Sequence, residues 1–175
     1  RYGVSAKNVG DEGGYAPNMS HTREALDCLM SAIETVGYSS EMKLAMDPAS
    51  SSFYNPETKT YNIDGKALTA AELADFWADI ATTYPVTSIE DPFDEEDFQS
   101  FADLTKRIGA KTQIVGDDLF VTNVKRIFQG IEKHAANSVL IKVNQIGTLT
   151  ETIAAINLAR SNGYTAVVSH RSGES

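Results

Sequence analysis

The sequence predicts an α/β fold of parallel strands joined by crossover helices, as either an open doubly wound sheet or a (β/α) barrel. Three observations point there. Five short apolar runs recur along the chain, each followed by turn residues and a helical pattern. Most of these runs are continuously apolar rather than alternating, as strands buried on both faces are. In the later half, strand–helix–strand repeats about every 26 residues, the rhythm of parallel strands with helical crossovers. A complete barrel takes about 250 residues, so a barrel within 175 residues is an incomplete one of five or six units.

The elements follow in order. Residues 22–36 place Leu26, Leu29, Ile33 and Val36 at helical spacing, and Cys28 within "EALDCLM" is expected to be a buried packing residue. "KLAMD" (43–47) is the first strand. "SSFYNPETKTYNIDGKA" (51–67) breaks the rhythm, and its Asn55-Pro56 and Asp64-Gly65 turn signals around "TYNI" predict a small inserted hairpin. Thr69 and Glu72 form a capping-box signal ahead of Leu73, Phe76, Trp77 and Ile80, with Trp77 on the apolar stripe and hence in the core. "VTSIE" (86–90) is the second strand. Phe98, Phe101 and Ile108 mark a helix before "TQIVGDD" (112–118), and Val124, Ile127, Phe128 and Ile131 mark another before "SVLIKV" (138–143). Thr148 and Glu151 signal a further capping box on a helix closing near Gly163, and "TAVVSH" (165–170) is the last strand.

Composition narrows the function classes. A net charge of −9 argues against nucleic-acid binding, which leaves a basic footprint. No apolar run approaches the roughly 20 residues a membrane helix needs, and the N-terminus carries no signal-peptide pattern. One cysteine excludes an intrachain disulfide and favours a reducing compartment. The chain opens at "RYGVS" without an initiator methionine and stops at "SHRSGES" directly after an apolar run, so both ends are expected to be cuts from a longer polypeptide.

Every predicted strand ends in an ionisable residue: Asp47, then Glu90 and Asp91, then Asp117 and Asp118, then Lys142, then His170. In parallel α/β folds those ends gather on one rim, where ligands bind. Carboxylates brought close repel unless a cation sits among them, and all-oxygen ligation favours a hard ion such as Mg²⁺. Lys142 beside such an ion is a candidate base for a weakly acidic C–H, provided desolvation and the cation keep it neutral. "SHRSG" (169–173) offers donors: Arg171 can fork onto a phosphate or carboxylate, Ser172 can add a hydroxyl or backbone N–H, and His170 can orient substrate. His21 and His134, at a helix start and a helix end, are expected on the surface. "VGDEGGYAPN" (9–18) sets Asp11 and Glu12 among Gly10, Gly13 and Gly14. Taken alone it is an acidic turn, a phosphate cradle or a way of presenting one carboxyl group to a substrate, and composition does not decide among them.

"GDEGGYAPN", "MDPASSSFY", "SIEDPF", "VGDDL", "IKVNQIGTLTE" and "SHRSGES", in that order and across essentially the whole chain, closely resemble the enolase family. The resemblance implies an enolase-type TIM barrel, with residues 1–175 a partial C-terminal catalytic domain, and the reversible dehydration of 2-phosphoglycerate to phosphoenolpyruvate. It implies that Asp47, Glu90 and Asp117 hold Mg²⁺, two ions per site in the family, and that Glu90 and Asp117 also border the substrate. It implies Lys142 as the base that removes the proton beside the substrate carboxylate and Glu12 as the acid that helps hydroxide leave. It implies Ser169, His170, Arg171 and Ser172 as the substrate-holding loop, with Arg171 on the phosphate. A cytoplasmic homodimer acting on a small molecule, with no nucleic-acid or membrane partner, follows from the same likeness. Enolases also carry an N-terminal domain with a mobile loop, a further glutamate and a lysine on the last barrel strand, none of which falls within residues 1–175. The 175 residues alone are therefore expected to be inactive, which turnover by the purified fragment would refute. Two other readings are an acid-sugar dehydratase or cycloisomerase of the same superfamily, and a non-catalytic binding protein on the same scaffold.

Overall fold

The computed structural model describes residues 2–10 and 13–171. Helix α1 (Thr22–Thr35) leads into strand β1 (Leu44–Met46). The insertion follows as β2 (Tyr54–Asn55), β3 (Thr60–Ile63) and β4 (Lys66–Leu68). Then come α2 (Ala70–Thr83), β5 (Val86–Glu90), α3 (Phe98–Ile108), β6 (Gln113–Gly116), α4 (Val124–Lys133) and β7 (Ser138–Ile141). The short α5 (Val143–Ile146), α6 (Leu149–Ser161) and β8 (Thr165–Val168) complete the order.

Strand order decides between the two architectures. The main sheet runs β1-β5-β6-β7-β8, all pairs parallel, each new strand adding on the same side of the last. A doubly wound sheet reverses direction part-way, whereas an unreversed series of right-handed crossovers puts every helix on one face. That is the winding of a barrel, and five strands make an incomplete one. The helices pack in sequence outside the sheet, α2 on α3, α3 on α4 and α4 on α6. All five strands lie inside the stretches read from the sequence, trimmed by up to two residues at an end.

The insertion is larger than a hairpin: β2, β3 and β4 form a three-stranded antiparallel sheet. An aromatic chain ties it to the barrel, with Tyr61 against Phe53, Tyr54 and Phe93, and Phe93 against Phe101. The Tyr61 hydroxyl accepts the Asp94 N–H at 3.0 Å, and the buried Trp77 donates its indole N–H to Pro92 O at 2.8 Å. Both polar tips are thus satisfied within an apolar layer. Thr69 and Glu72 make the full capping box of α2. On α6, Thr148 accepts the Glu151 N–H, while the Glu151 carboxylate takes the Thr148 hydroxyl at 2.6 Å.

Three expectations need correcting. Cys28 is exposed, not buried. Leu29 on the same helix and Val36 at its C-cap are also exposed, because the stripe against the core is Leu26, Met30 and Ile33. Cys28, two residues from Leu26, falls about 200° around the helix. On α4, Ile127 is buried and Ile131 packs against the core, but Phe128 is exposed. His21 and His134 are exposed at the start of α1 and the end of α4, as expected.

Candidate active site and metal centre

The parallel register sets the rim. Met46 pairs with Ile89, so Asp47 and Glu90 leave their strands at one level. Ile141 pairs with Val168, so Lys142 and Ser169 do likewise, and the Ser169 N–H donates to Ile141 O at 3.0 Å. Beyond these ends the backbone turns sharply. Ala49, Asp91, Val121 and Thr122 all adopt positive φ without being glycine, a costly conformation that clusters at functional sites.

These ends surround an open cavity of about 440 Å³ lined by Asp47, Glu90, Asp118, Leu140, Lys142, Gln145, Ser169, His170 and Arg171. Asp117 lies just beneath, its carboxylate covered by Lys142 Nζ at 2.5 Å and Gln145 Nε2 at 3.0 Å. Carboxylate oxygens of Glu90, Asp91 and Asp117 lie within 4.8 Å of one another. Asp91 serves chiefly to hold backbone: it accepts the Asp117 and Asp118 N–H groups at 3.0 and 2.8 Å. Asp47 stands at the exposed lip, one oxygen accepting the Ala49 N–H at 3.0 Å.

Crowded, partly dehydrated carboxylates resist ionisation. Burial, reinforced by the charges of Asp47, Asp117 and Asp91, pushes Glu90 up to about 8. Burial pushes Asp91 up to about 7 against the pull of its two N–H donors. Burial and the charge of Asp117 raise Asp118, with Lys142 and Arg171 opposing. Partial burial raises Asp47, the Ala49 N–H and the charge of Lys142 oppose, and Asp117 and Asp118 add to the rise. Water at the lip screens that effect. The all-oxygen donor set of crowded carboxylates fits a hard divalent cation such as Mg²⁺.

Lys142 sits against the Asp117 carboxylate. Burial lowers its pKa, but the hydrogen bond and charge of Asp117, with Glu90 and Asp118, outweigh it and raise the ammonium above its ordinary value. A cation engaging those carboxylates would withdraw that support from the charged form.

The structure thus brings together Asp47, Glu90, Asp117, Lys142, Ser169, His170 and Arg171; Asp11, Glu12 and Ser172 lie outside the described residues. Val9 is bridged to Tyr15, and the Gly13 N–H donates to Gly10 O at 2.9 Å. Gln145 escaped the sequence reading, although its i+3 spacing from Lys142 puts both on one side of a helical turn. Thr122, which joins Gln145 from the β6–α4 loop, gives no local signal.

The chain matches the family model described as "Enolase, C-terminal TIM barrel domain" over residues 1–175. The chain belongs to the enolase family. An enolase of Methanococcus aeolicus is 55% identical over 175 residues, covering 100% of this chain and 41% of that enolase. Within the enolase barrel, the acidic cluster and Lys142 occupy the C-terminal rim, the face on which such barrels carry their active sites. No described helix is long and apolar enough to cross a membrane.

Proposed function

We propose that the protein containing this chain is a phosphopyruvate hydratase, reversibly dehydrating 2-phosphoglycerate to phosphoenolpyruvate. The observation that carries the reading is the convergence of Lys142 with Asp47, Glu90 and Asp117 on one polar cavity. Asp47, Glu90 and Asp117 would hold the Mg²⁺, which when bound offsets negative charge developing on the substrate carboxylate. Lys142 takes the C2 proton onto Nζ, and the electron pair left at C2 becomes the C2=C3 bond as the C3–O bond breaks. Glu12 gives its proton to the departing hydroxide, which leaves as water. Arg171 holds the phosphate with a fork of N–H donors, and Ser169, His170 and Ser172 complete the loop around it. Asp117 steadies Lys142 between turnovers through their ion pair. The same reading makes 1–175 part of the catalytic domain of a cytoplasmic, homodimeric enzyme of glycolysis and gluconeogenesis.

Exchange of the C2 proton with deuterated water separates the two roles. Lys142→Ala is expected to abolish both exchange and dehydration, falling by at least about 10²–10⁴-fold as loss of a general base does. Glu12→Gln is expected to retain exchange while losing dehydration. Exchange surviving in Lys142→Ala would refute the assignment of the base.

A further inference from the structure

We infer that Thr122 and Gln145 are positioning residues that fix the base Lys142 and the carboxylate of Asp117 relative to each other. The inference rests on the reading of Lys142 and Asp117 given above. Four hydrogen bonds close a ring through two segments, the β6–α4 loop and the turn from β7 into α5. Lys142 Nζ donates to Asp117 Oδ2 at 2.5 Å, and Gln145 Nε2 donates to Asp117 Oδ1 at 3.0 Å. The Thr122 hydroxyl donates to Gln145 Oε1 at 3.0 Å and accepts the Lys142 backbone N–H at 2.9 Å. Asp117 begins the loop after β6, Thr122 ends it, and Lys142 and Gln145 straddle the start of α5.

Polarity around the ring is forced. The Lys142 N–H can only donate, so the Thr122 oxygen accepts there, and its single proton goes to Gln145 Oε1 at 3.0 Å in preference to the more distant Leu140 O at 3.5 Å. That contact orients the amide, so that its NH₂ faces Asp117. Reversing the amide would set a carbonyl against a carboxylate. Gln145 is a neutral donor: it can hold one Asp117 oxygen without cancelling the charge that a cation needs. Asp117 therefore keeps its place when Lys142 turns from it to the substrate.

The backbone bears a cost for this placement. Val121 and Thr122 are both β-branched and both left-handed, with φ of 43° and 55°. Such a conformation is costly for a β-branched residue and persists only where its surroundings over-determine it. Here the Val121 and Phe120 N–H groups both donate to Asp117 O, at 2.7 and 3.1 Å, and Thr122 is fully buried. A Thr122 turned back to ordinary φ would lose both partners.

The test uses Thr122→Val, which keeps shape and removes the hydroxyl, and Thr122→Ser, which restores it. Two quantities are measured on the protein containing this chain: Mg²⁺ affinity by calorimetry without substrate, and C2 proton exchange with saturating Mg²⁺. Loss of a hydrogen-bonded support behind a metal ligand costs about 10–100-fold. Thr122→Val is expected to weaken Mg²⁺ binding about 10-fold and slow exchange at least about 10-fold, with KM for 2-phosphoglycerate within about threefold of the parent. Thr122→Ser is expected to recover most of both. Gln145→Met, similar in volume and lacking the amide, serves if Thr122→Val does not fold, with the same expectation. Either quantity staying within threefold of the parent, or failing to recover in Thr122→Ser, overturns the inference alone. A parent protein that exchanges no C2 proton overturns the hydratase reading, and the inference with it.

Discussion

Asp91 and Glu90 are neighbours whose carboxyl groups meet different partners. Asp91 is 4% exposed and ties three loops together: its N–H donates to Val115 O, its carbonyl accepts the Ser50 N–H, and its carboxylate takes the Asp117 and Asp118 N–H groups. Proximity to Glu90 and Asp117 would make it a metal ligand; its hydrogen bonds make it an anchor. The two roles differ in sign when no cation is present. Removing a mere ligand relieves repulsion on Glu90 and leaves cation-free stability unchanged or higher. Removing an anchor orphans backbone N–H groups, at about 1–3 kcal/mol for each one buried. Urea unfolding of Asp91→Ala in EDTA is expected to show a loss of at least about 2 kcal/mol. Unchanged stability there would assign Asp91 to the metal instead.

Among the elements, β6 and α4 each bring a glycine against one ring, that of Phe120. A Cβ on Gly116 would lie 2.5 Å from Phe120 Cδ2, and one on Gly130 would lie 2.3 Å from Phe120 Cε1. Phe120 is fully buried, three residues beyond Asp117, so its position bears on the site loop. Gly130→Ala is expected to be destabilising: overpacking costs about 1–3 kcal/mol, and better helix propensity returns about 1 kcal/mol. Combining it with Phe120→Leu is expected to cost less than the two single changes summed, which a double-mutant cycle of unfolding free energies measures. Strict additivity would show that the backbone, not the ring, absorbs the clash.

At this scale the sequence was informative where the signal is local. The five strands were legible because parallel strands buried on both faces read as unbroken apolar runs, and the site was legible because each run ends in an ionisable residue. The outward turn of Cys28 and Leu29 was obscured because α1 carries more apolar residues than its contact stripe uses. The ring through Thr122 and Gln145 was hidden for another reason: it joins residues 23 apart through loop conformations that no nearby pattern announces.

For the molecule as a whole, the rim carboxylates make stability depend on pH and on cation together. Glu90 and Asp91 ionise in the folded state near 8 and 7, well above an ordinary carboxyl. Between about pH 4 and 8 the folded chain thus holds more protons than the unfolded one, and stability falls as pH rises through that window. Lys142 does not offset this, since its raised pKa gives a contribution present below the ordinary lysine value and lost only above it. A cation binding the folded rim reverses the balance, because it stabilises in proportion to the logarithm of its concentration over its dissociation constant, and ionised carboxylates bind it best. Calorimetric melting of the protein containing this chain is expected to show Tm falling by several degrees from pH 5 to 8.5 in EDTA. Millimolar Mg²⁺ is expected to flatten or invert that slope. A Tm in EDTA that holds level or climbs across the range would mean that the rim carboxylates are ionised throughout, and that no crowding of charge awaits a cation there.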